Sequence, residues 1–318
     1  MILILSPPFN TRFAGVVVLH RLYELLVEAG VEAFIVFFAV PNHPNKFLFS
    51  TAEKYFRPNS SKRFRSRSLT NELFKVAINE GVVLYPEIIS GNPLGARNVV
   101  RYLLNREAAL TGKAMSAGEA DFVMTFSRAF AGERNDFELF IPTGAERFFK
   151  SRPLRDINDR TLDFFYIGKG YKYQSQFDPP ANFIELTRSW PKSQIQFHSL
   201  LLEARFFLSY DRVSGCNGEA VLAGAYPIIL GKGPVSAELL GRSETPTFFG
   251  DPKLLGSDKI PLEEVQRLMS HRALLICELE KREASVKDLV GSLIKSLAHH
   301  FGVSFERILE KDERQDLK

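Results

Sequence analysis

The sequence predicts an α/β protein with two Rossmann-like domains that face each other across a cleft, followed by a helical tail. Three observations support this fold class. Apolar strand-length runs alternate with helix-period segments in both halves, a Pro- and Gly-containing stretch at 141–153 separates the halves, and the chain ends in segments with apolar helical stripes. We expect domains over residues 1–145 and 146–284, and a tail over 285–318 that crosses back to the first domain.

The first half opens with a βαβ unit. Ile2–Leu5 is an apolar strand, the apolar residues between Gly15 and Gly30 recur on one helical face, and Glu32–Phe38 is the next strand. The same kind of pattern predicts further strands at 81–85, 121–126 and 136–141. Gly15 follows the first strand and would let the backbone approach a ligand, although a simple turn glycine is the alternative.

Polar residues follow the strand at 81–85. Glu87 and Ser90 lie in its exit loop, and Asn92-Pro93 has the form of a helix N-cap followed by a first-turn proline. We expect a helix from there through Leu104. Glu87, Ser90 and Asn92 would then stand at the edge of the first sheet where ligands bind in α/β proteins.

The second half repeats the alternation of strands and helices. Strands are predicted at 162–167, 182–186, 206–210 and 226–230, and helices at 193–204 and after Ser214. Two amphipathic helices, Leu262–Arg282 and Val286–Phe301, end the chain. The second has a regular apolar stripe and should pack on the protein.

The composition limits the function classes. A net charge of +4 over 318 residues is too small to indicate nucleic-acid binding. Cys216 and Cys277 form neither a metal-ligand spacing nor a disulfide framework. No uninterrupted run of about 20 apolar residues predicts a membrane span, and the N-terminus lacks the features of a signal peptide. We expect a cytoplasmic protein.

A basic segment lies in the loop-like stretch 41–68. Five basic residues occur there without an intervening acid: Arg57, Lys62, Arg63, Arg65 and Arg67. A solvated loop is one interpretation, and contact with a phosphate-bearing acceptor or an anionic membrane surface is the other. Phe64 is the one aromatic residue among them, which gives little support for nucleic acid as a partner.

The second half contains a candidate site for a polar, anionic ligand. Asp211 follows the strand at 206–210, and Ser214, Asn217 and Glu219 accompany the start of the next helix. Ligands of open α/β sheets bind at the carboxyl ends of strands, beside helix N-termini. A carboxylate at this edge would accept hydrogen bonds from sugar or ribose hydroxyls.

A glycine-lysine loop follows the strand at 162–167. Gly168 and Gly170 would let the backbone approach an anion, while Lys169 and Lys172 supply the positive charge that suits a diphosphate. The alternative is a surface turn with lysines. Together with Asp211 and Glu219, the loop indicates a nucleotide-sugar as ligand.

Four places resemble GT-B glycosyltransferases, in particular bacterial enzymes of surface-polysaccharide assembly. They are the run Tyr85–Ala96, the loop Tyr166–Tyr173, the acids Asp211 and Glu219 with seven residues between them, and the helical tail. The resemblance implies a donor-binding second domain and a first domain that binds a glycan or lipid-linked acceptor. Glu219 would bind the donor ribose, and Asp211, where many members have Glu, would face the transferred sugar.

The predicted function is transfer of a sugar from a nucleotide-diphospho-sugar to that acceptor, with retention, at the inner face of the cytoplasmic membrane. No Asp-x-Asp motif occurs, so we expect Lys169 and helix N-termini, and no metal cofactor, to stabilise the departing diphosphate. With retention, the phosphate itself can take the proton. If a separate base acts, Glu87 and His20 are the candidates, although His20 can also be read as a partly buried helix residue.

Two other functions stay open at this level. The usual Arg–Lys pair of the family is not clearly matched, and Lys169, Lys172 and Arg188 are its candidates in that order. This departure and the one at Asp211 also fit a non-catalytic protein that binds a nucleotide or nucleotide-sugar on a degenerate GT-B fold. A nucleotide-sugar epimerase or a phosphatase-like two-domain enzyme is the third interpretation.

Overall fold

The chain is α/β and divides into two compact units. The structure, a computed structural model, describes residues 1–39, 48–50, 69–233, 235–241, 245 and 247–305. The first unit comprises Met1–Ile141 together with Ala284–Lys318, and the second comprises Pro142–Glu283. Each unit is built around its own sheet of parallel strands.

The first unit contains a seven-stranded sheet in the order β3-β2-β1-β4-β5-β6-β7. Its strands are β1 (Ile2–Ser6), β2 (Ala33–Ala39), β3 (Leu48–Ser50), β4 (Val82–Pro86), β5 (Val99–Leu103), β6 (Phe122–Thr125) and β7 (Phe137–Glu138). Six strands are parallel, and β3 pairs with β2 in the antiparallel direction. The strands predicted from apolar runs are confirmed.

Helices cover both faces of this sheet, which explains why its strands are largely apolar. The first unit has α1 (Ala14–Glu28) and α2 (Asn71–Asn79). Side chains alternate between the faces: Ile2 and Ile4 pack with α1, whereas Leu3 and Leu5 pack with α2. α1 confirms the predicted first helix, while α2 is an element that the sequence pattern did not identify.

The helix predicted from Asn92 through Leu104 is wrong. The segment after β4 is irregular and then enters β5, which is buried throughout its length between β4 and β6. Asn92 does not cap a helix, because its Oδ1 accepts hydrogen bonds from the Ala96 amide and the Tyr85 hydroxyl within the loop. Gly95 adopts a φ of +65°, which ends any helical path there.

The second unit contains a four-stranded parallel sheet in the order β11-β10-β8-β9. Its strands are β8 (Leu162–Tyr166), β9 (Ile184–Glu185), β10 (Ala204–Ser209) and β11 (Tyr226–Ile229). The helices before the last long one are α3 (Ala145–Lys150), α4 (Gln194–Leu202), α5 (Gly215–Leu222) and α6 (Ala237–Gly241). The predicted strands and the two predicted helices at 193–204 and after Ser214 are confirmed.

One continuous helix, α7 (Leu262–Phe301), replaces the two predicted helices at 262–282 and 286–301. The residues between them include no glycine or proline that would end a helix. The division between the units falls within α7, after Glu283. The predicted stripe is confirmed, since Val286, Val290, Leu293 and Leu297 are buried in the core of the first unit.

Two interpretations of the sequence concern membranes: one on spanning helices and one on the basic segment. None of the helices in the described part of the chain combines the length and the apolar character that a membrane span requires. The basic segment Arg57–Arg67 lies outside the described residues.

We expect Gly231→Ala to destabilise the second unit by about 1–3 kcal/mol. A Cβ at Gly231 would lie 2.2 Å from the Tyr210 carbonyl oxygen, and both groups are backbone, so neither can turn away. Gly218→Ala is the matched control, because a Cβ at that helical position meets nothing within 4 Å. Alanine there should be neutral or stabilising by up to about 1 kcal/mol. Urea unfolding followed by circular dichroism measures both, and equal effects would contradict the close approach at Tyr210.

Candidate functional site

The carboxyl ends of β8 and β10 meet at one edge of the second sheet, because the two strands are parallel neighbours. The loop after β8 and the residue after β10 are in direct contact there. The backbone amide of Lys169 donates a 2.9 Å hydrogen bond to Oδ2 of Asp211. The sequence placed Gly168–Gly170 and Asp211 at this edge, and the structure brings them together.

The glycines of this loop are required by close packing. Gly168 has a φ of +52°, and a Cβ there would lie 2.7 Å from Asp211 Oδ2 and closer still to the Tyr166 ring. A Cβ at Gly170 would lie 2.1 Å from the Tyr210 carbonyl oxygen. The loop is therefore pressed against the exit of β10, where only glycine fits.

Asp211 is a buried carboxylate that holds this loop. The residue is 3% exposed, and its Oδ2 lies 3.6 Å from the Lys169 ammonium as well as accepting the Lys169 amide. Burial raises the pKa of Asp211, while the charges of Lys169 and Arg188 act in the opposite direction. The carboxylate is turned towards the Gly168–Gly170 loop, and its contacts hold that loop in place.

The cations at this edge divide into two kinds. Lys169 points inward, where its ammonium also donates to the Val213 carbonyl. Lys172 and Arg188 are exposed. Burial and, after it, the charge of Arg188 lower the pKa of Lys172. Lys172 and Arg188 are thus two exposed cations whose charges interact at this edge. The cation that the sequence ranked first, Lys169, is turned inward, whereas Arg188, ranked third, is exposed.

The start of α5 is fixed by its own side chains. Ser214 is the N-cap and accepts a hydrogen bond from the Cys216 amide. Asn217 is 3% exposed, and its Nδ2 donates to the carbonyls of Asp211 and Arg212. Asn217 Oδ1 is buried without a hydrogen-bond partner. Ser214 and Asn217 therefore brace the turn between β10 and α5.

Glu219 lies in a polar cluster that the sequence did not predict. Gln194 Nε2 donates a 3.0 Å hydrogen bond to Glu219 Oε1 and lies 2.8 Å from His198 Nε2. His198 Nε2 is itself 3.3 Å from Glu219 Oε1, and its ring packs against the rings of Phe148 and Phe149. All these contacts are made to Oε1. Gln194 and His198 are four residues apart on α4, a spacing that places both on one helical face and was the available signal.

Glu87 is a buried residue at the carboxyl end of β4 in the first unit. It is 5% exposed, and its Oε2 accepts a 3.1 Å hydrogen bond from the Leu104 amide. The Glu87 charge also raises the pKa of Tyr102, after the larger effect of that residue's burial. Gly15 lies beside the same position, since a Cβ there would contact the Leu104 side chain at 3.4 Å. The structure therefore brings Glu87 and Gly15 to a common edge around Leu104.

Ser90 and Asn92 make hydrogen bonds within the first unit's loops. Ser90 Oγ donates to the Ala114 carbonyl at 2.8 Å. Asn92 accepts from Tyr85 and Ala96 through Oδ1 and donates to the Ala96 carbonyl through Nδ2. These contacts shape the loop between β4 and β5.

His20 lies on α1 between aromatic rings. Its ring centroid is 5.0 Å from that of Phe9 and 5.9 Å from that of Phe37. Burial lowers the pKa of His20 to about 4, while a hydrogen bond with the Pro7 backbone acts in the opposite direction. Nε2 is buried without a hydrogen-bond partner. The imidazole is therefore neutral at physiological pH. Of the two interpretations drawn from the sequence, a base or a partly buried helix residue, the structure shows a partly buried residue on a helix.

Metal ligands are a separate question from these contacts. Within the part of the chain that the structure describes, no group of three or more His, Cys, Asp or Glu side chains is arranged to hold a metal ion. Independence from metal stays a prediction.

We expect His20 to make stability depend on pH. Between about pH 4 and 6.5 the unfolded chain binds a proton on this imidazole that the folded chain does not, so the free energy of unfolding falls as the pH drops. The loss should reach about 3 kcal/mol. His20→Gln removes the titrating group and should flatten this dependence, which urea titrations across the same pH range would show. A parallel pH dependence in both proteins would contradict the lowered pKa.

Comparison with known proteins adds no family assignment. No family model, no curated protein and no solved structure matches the chain. The resemblance to GT-B glycosyltransferases stays a prediction from the motifs quoted above, and function is inferred from the residues at the edges of the two sheets.

Proposed function

We propose that the protein is a glycosyltransferase of GT-B architecture that transfers a sugar from a nucleotide-diphospho-sugar to a glycan or lipid-linked acceptor. In this proposal the second unit binds the donor at the edge formed by β8, β10 and α5. The first unit binds the acceptor, with Gly15, Ser90 and Asn92 near it. The protein would work in the cytoplasm, at the inner face of the membrane.

The observation that supports this proposal most strongly is the Gly168–Gly170 loop, which the Lys169 amide holds against the buried Asp211 carboxylate at an edge where Lys172 and Arg188 are exposed. Burial and, after it, the charge of Arg188 lower the pKa of Lys172, so the two cations act on each other. An anion bound at this edge would offset that repulsion and accept charge-assisted hydrogen bonds. A diphosphate has the charge and the oxygen atoms to do so.

The other residues of this edge have supporting roles in the proposal. Asp211 holds the glycine loop through the Lys169 amide, which keeps the backbone in the position that a diphosphate would approach. Glu219 accepts from Gln194 through Oε1 only, so its carboxylate is oriented while Oε2 stays available to a ribose hydroxyl. Ser214 and Asn217 hold the start of α5, whose N-terminal dipole favours negative charge.

The proposed reaction forms one bond and breaks one. The acceptor hydroxyl oxygen bonds to the anomeric carbon while the bond from that carbon to the diphosphate oxygen breaks, and the nucleoside diphosphate leaves with the electron pair. With retention, the departing phosphate takes the hydroxyl proton. Glu87 is the less suitable base, because it is buried and bonded to the Leu104 amide. His20 is neutral, as a base must be, but its Nε2 is enclosed.

A second candidate function is a non-catalytic protein that binds a nucleotide or nucleotide-sugar. The mutual contact of Asp211 and Lys169 favours it, because both charged groups already have partners within the protein. The two functions share the same donor site and differ only in turnover.

Calorimetric titration with UDP-, GDP- and dTDP-sugars tests the shared site. We expect one donor to bind, and the double variant Lys172→Ala and Arg188→Ala to weaken it at least about tenfold. Glu219→Gln should weaken binding of the same donor by a smaller factor. Lys253→Ala removes a single positive charge from an exposed lysine on the turn Pro252–Leu254 of the same unit, and this control for the loss of a surface charge should have no effect. Absence of binding to every donor would overturn both functions. Slow donor hydrolysis supports the transferase, and binding without turnover supports the second candidate.

We expect transfer or donor hydrolysis to survive chelation with EDTA, because lysine and arginine charges would stabilise the departing diphosphate. The measurement compares initial rates in metal-free buffer, with EDTA, and with added Mg²⁺ or Mn²⁺. Complete loss with EDTA that either metal restores would show that the stabilising charge comes from a metal ion.

A further inference from the structure

A groove runs along α4 of the second unit. Its volume is about 670 Å³, within the range of small-ligand sites. Most of its exposed lining is apolar, and the four apolar residues among its eight lining residues come from the turn before α4 and from the helix itself: Trp190, Pro191, Ile195 and Leu200. We call it the Trp190 groove.

Trp190 is displayed on a loop that its own hydrogen bonds hold in place. The Thr187 hydroxyl accepts from the amides of Ser189 and Trp190, and the Trp190 carbonyl accepts from the Thr187 amide at 2.8 Å. The indole is nevertheless 43% exposed, although large aromatic side chains are usually well buried. Little ordering is needed when a ligand contacts a side chain on such a preorganised loop, so less binding energy is lost.

The polar half of the groove lies on one face of α4. Gln196, Ser199 and Glu203 are three and four residues apart, a spacing that aligns them along the helix, and Lys192 precedes them. Together they offer hydrogen-bond donors and acceptors beside the indole. Glu203 also accepts from Arg155 at 2.8 Å, which holds its carboxylate in place.

This face of α4 is not the one that contacts the donor edge. Gln194 and His198 are directed to Glu219, whereas the groove is lined by the positions next to them along the helix. The groove is therefore a separate surface, and what it binds does not depend on the proposed transfer reaction.

The mixed lining indicates the chemical class of the ligand. The Glu203 carboxylate is paired with Arg155, so Lys192 supplies the one remaining charge of the lining, and a single exposed lysine gives little selectivity for a phosphate or an anionic membrane. Four polar residues are too many for a purely apolar ligand, because their groups would be desolvated without partners. A sugar ring has an apolar C–H face that stacks on an indole and a rim of hydroxyls that donate and accept hydrogen bonds.

We propose that the Trp190 groove is a carbohydrate-binding site, in which a saccharide ring stacks on Trp190 and its hydroxyls bond to Gln196, Ser199 and Glu203. This site goes beyond the proposed function, since it would hold a glycan chain outside the place where a bond is formed.

The sequence contains a single tryptophan, so its fluorescence reports on this groove alone. The full chain is screened on an array of bacterial and plant glycans, and the strongest binders are then titrated while tryptophan emission is recorded. Maltohexaose, chitohexaose and laminarihexaose are titrated in every case. We expect a saturable change in emission with at least one saccharide.

Two variants keep the reporter and change the groove. Ile195→Ala should weaken binding about fivefold by removing apolar contact, and Ser199→Arg should weaken it at least about tenfold by filling the groove. Leu274→Ala is the matched control, since Leu274 is 64% exposed and Ile195 is 68% exposed, and it should bind as the wild type does. All three positions are at the surface, where substitution is tolerated.

Several results would overturn the carbohydrate assignment. One is the absence of any saccharide that gives a saturable change or an array signal. Another is an emission change that depends on protein concentration alone, which would identify a second copy of the chain as occupant, or one that appears only with phosphatidylglycerol vesicles. Equal weakening by Leu274→Ala and Ile195→Ala would show that the groove is not the binding surface. Because wild-type nucleotide binding is measured separately, failure of the groove and failure of the donor site are distinguishable.

Discussion

The hydrogen bond from the Lys169 amide to Asp211 joins the parts on which the candidate donor site depends. Asp211 also lies in a short network in which the Ser209 hydroxyl bonds to its backbone and Asn217 donates to its carbonyl. The loop after β8, the end of β10 and the start of α5 are thus tied to one residue. The Asp211 carboxylate is buried, so its hydrogen bond to the Lys169 amide is not weakened by competing water. If its partners were removed, an unpaired carboxylate at this position would destabilise the folded protein. The glycines follow from this constraint, since no side chain fits between the loop and Tyr210.

The sequence correctly predicted the helices and strands whose apolar pattern can be recognised from their own residues alone. β1, α1 and the stripe of α7 are of this kind, because their periodicity reflects the face on which they are buried. The segment from Asn92 to Leu104 was misread because Asn-Pro is a local helix signal. What decides its structure is not local: the run that becomes β5 is buried between two neighbouring strands, and Gly95 takes a positive φ.

The same distinction applies to the site. Asp211 and the Gly168–Gly170 loop were predictable, since parallel strands place their exits at one edge. The contact of Gln194 and His198 with Glu219 was not, because it depends on how α4 packs beside α5. The inward turn of Lys169 and the outward position of Arg188 are likewise set by tertiary contacts. Sequence reasoning thus located the edge, while the structure shows which cations at that edge are turned inward and which are exposed.

The edges of both sheets have a consequence for how folded chains behave in concentrated solution. Within the described chain, the outermost strands are β3 and β7 in the first sheet and β9 and β11 in the second, and none exceeds four residues. A strand from another molecule could therefore form only a few backbone hydrogen bonds with any of these edges. Short edges are one means by which natural proteins avoid edge-to-edge aggregation. As far as the structure describes these edges, they therefore offer little for intermolecular β-pairing, even though both sheets are built from largely apolar strands.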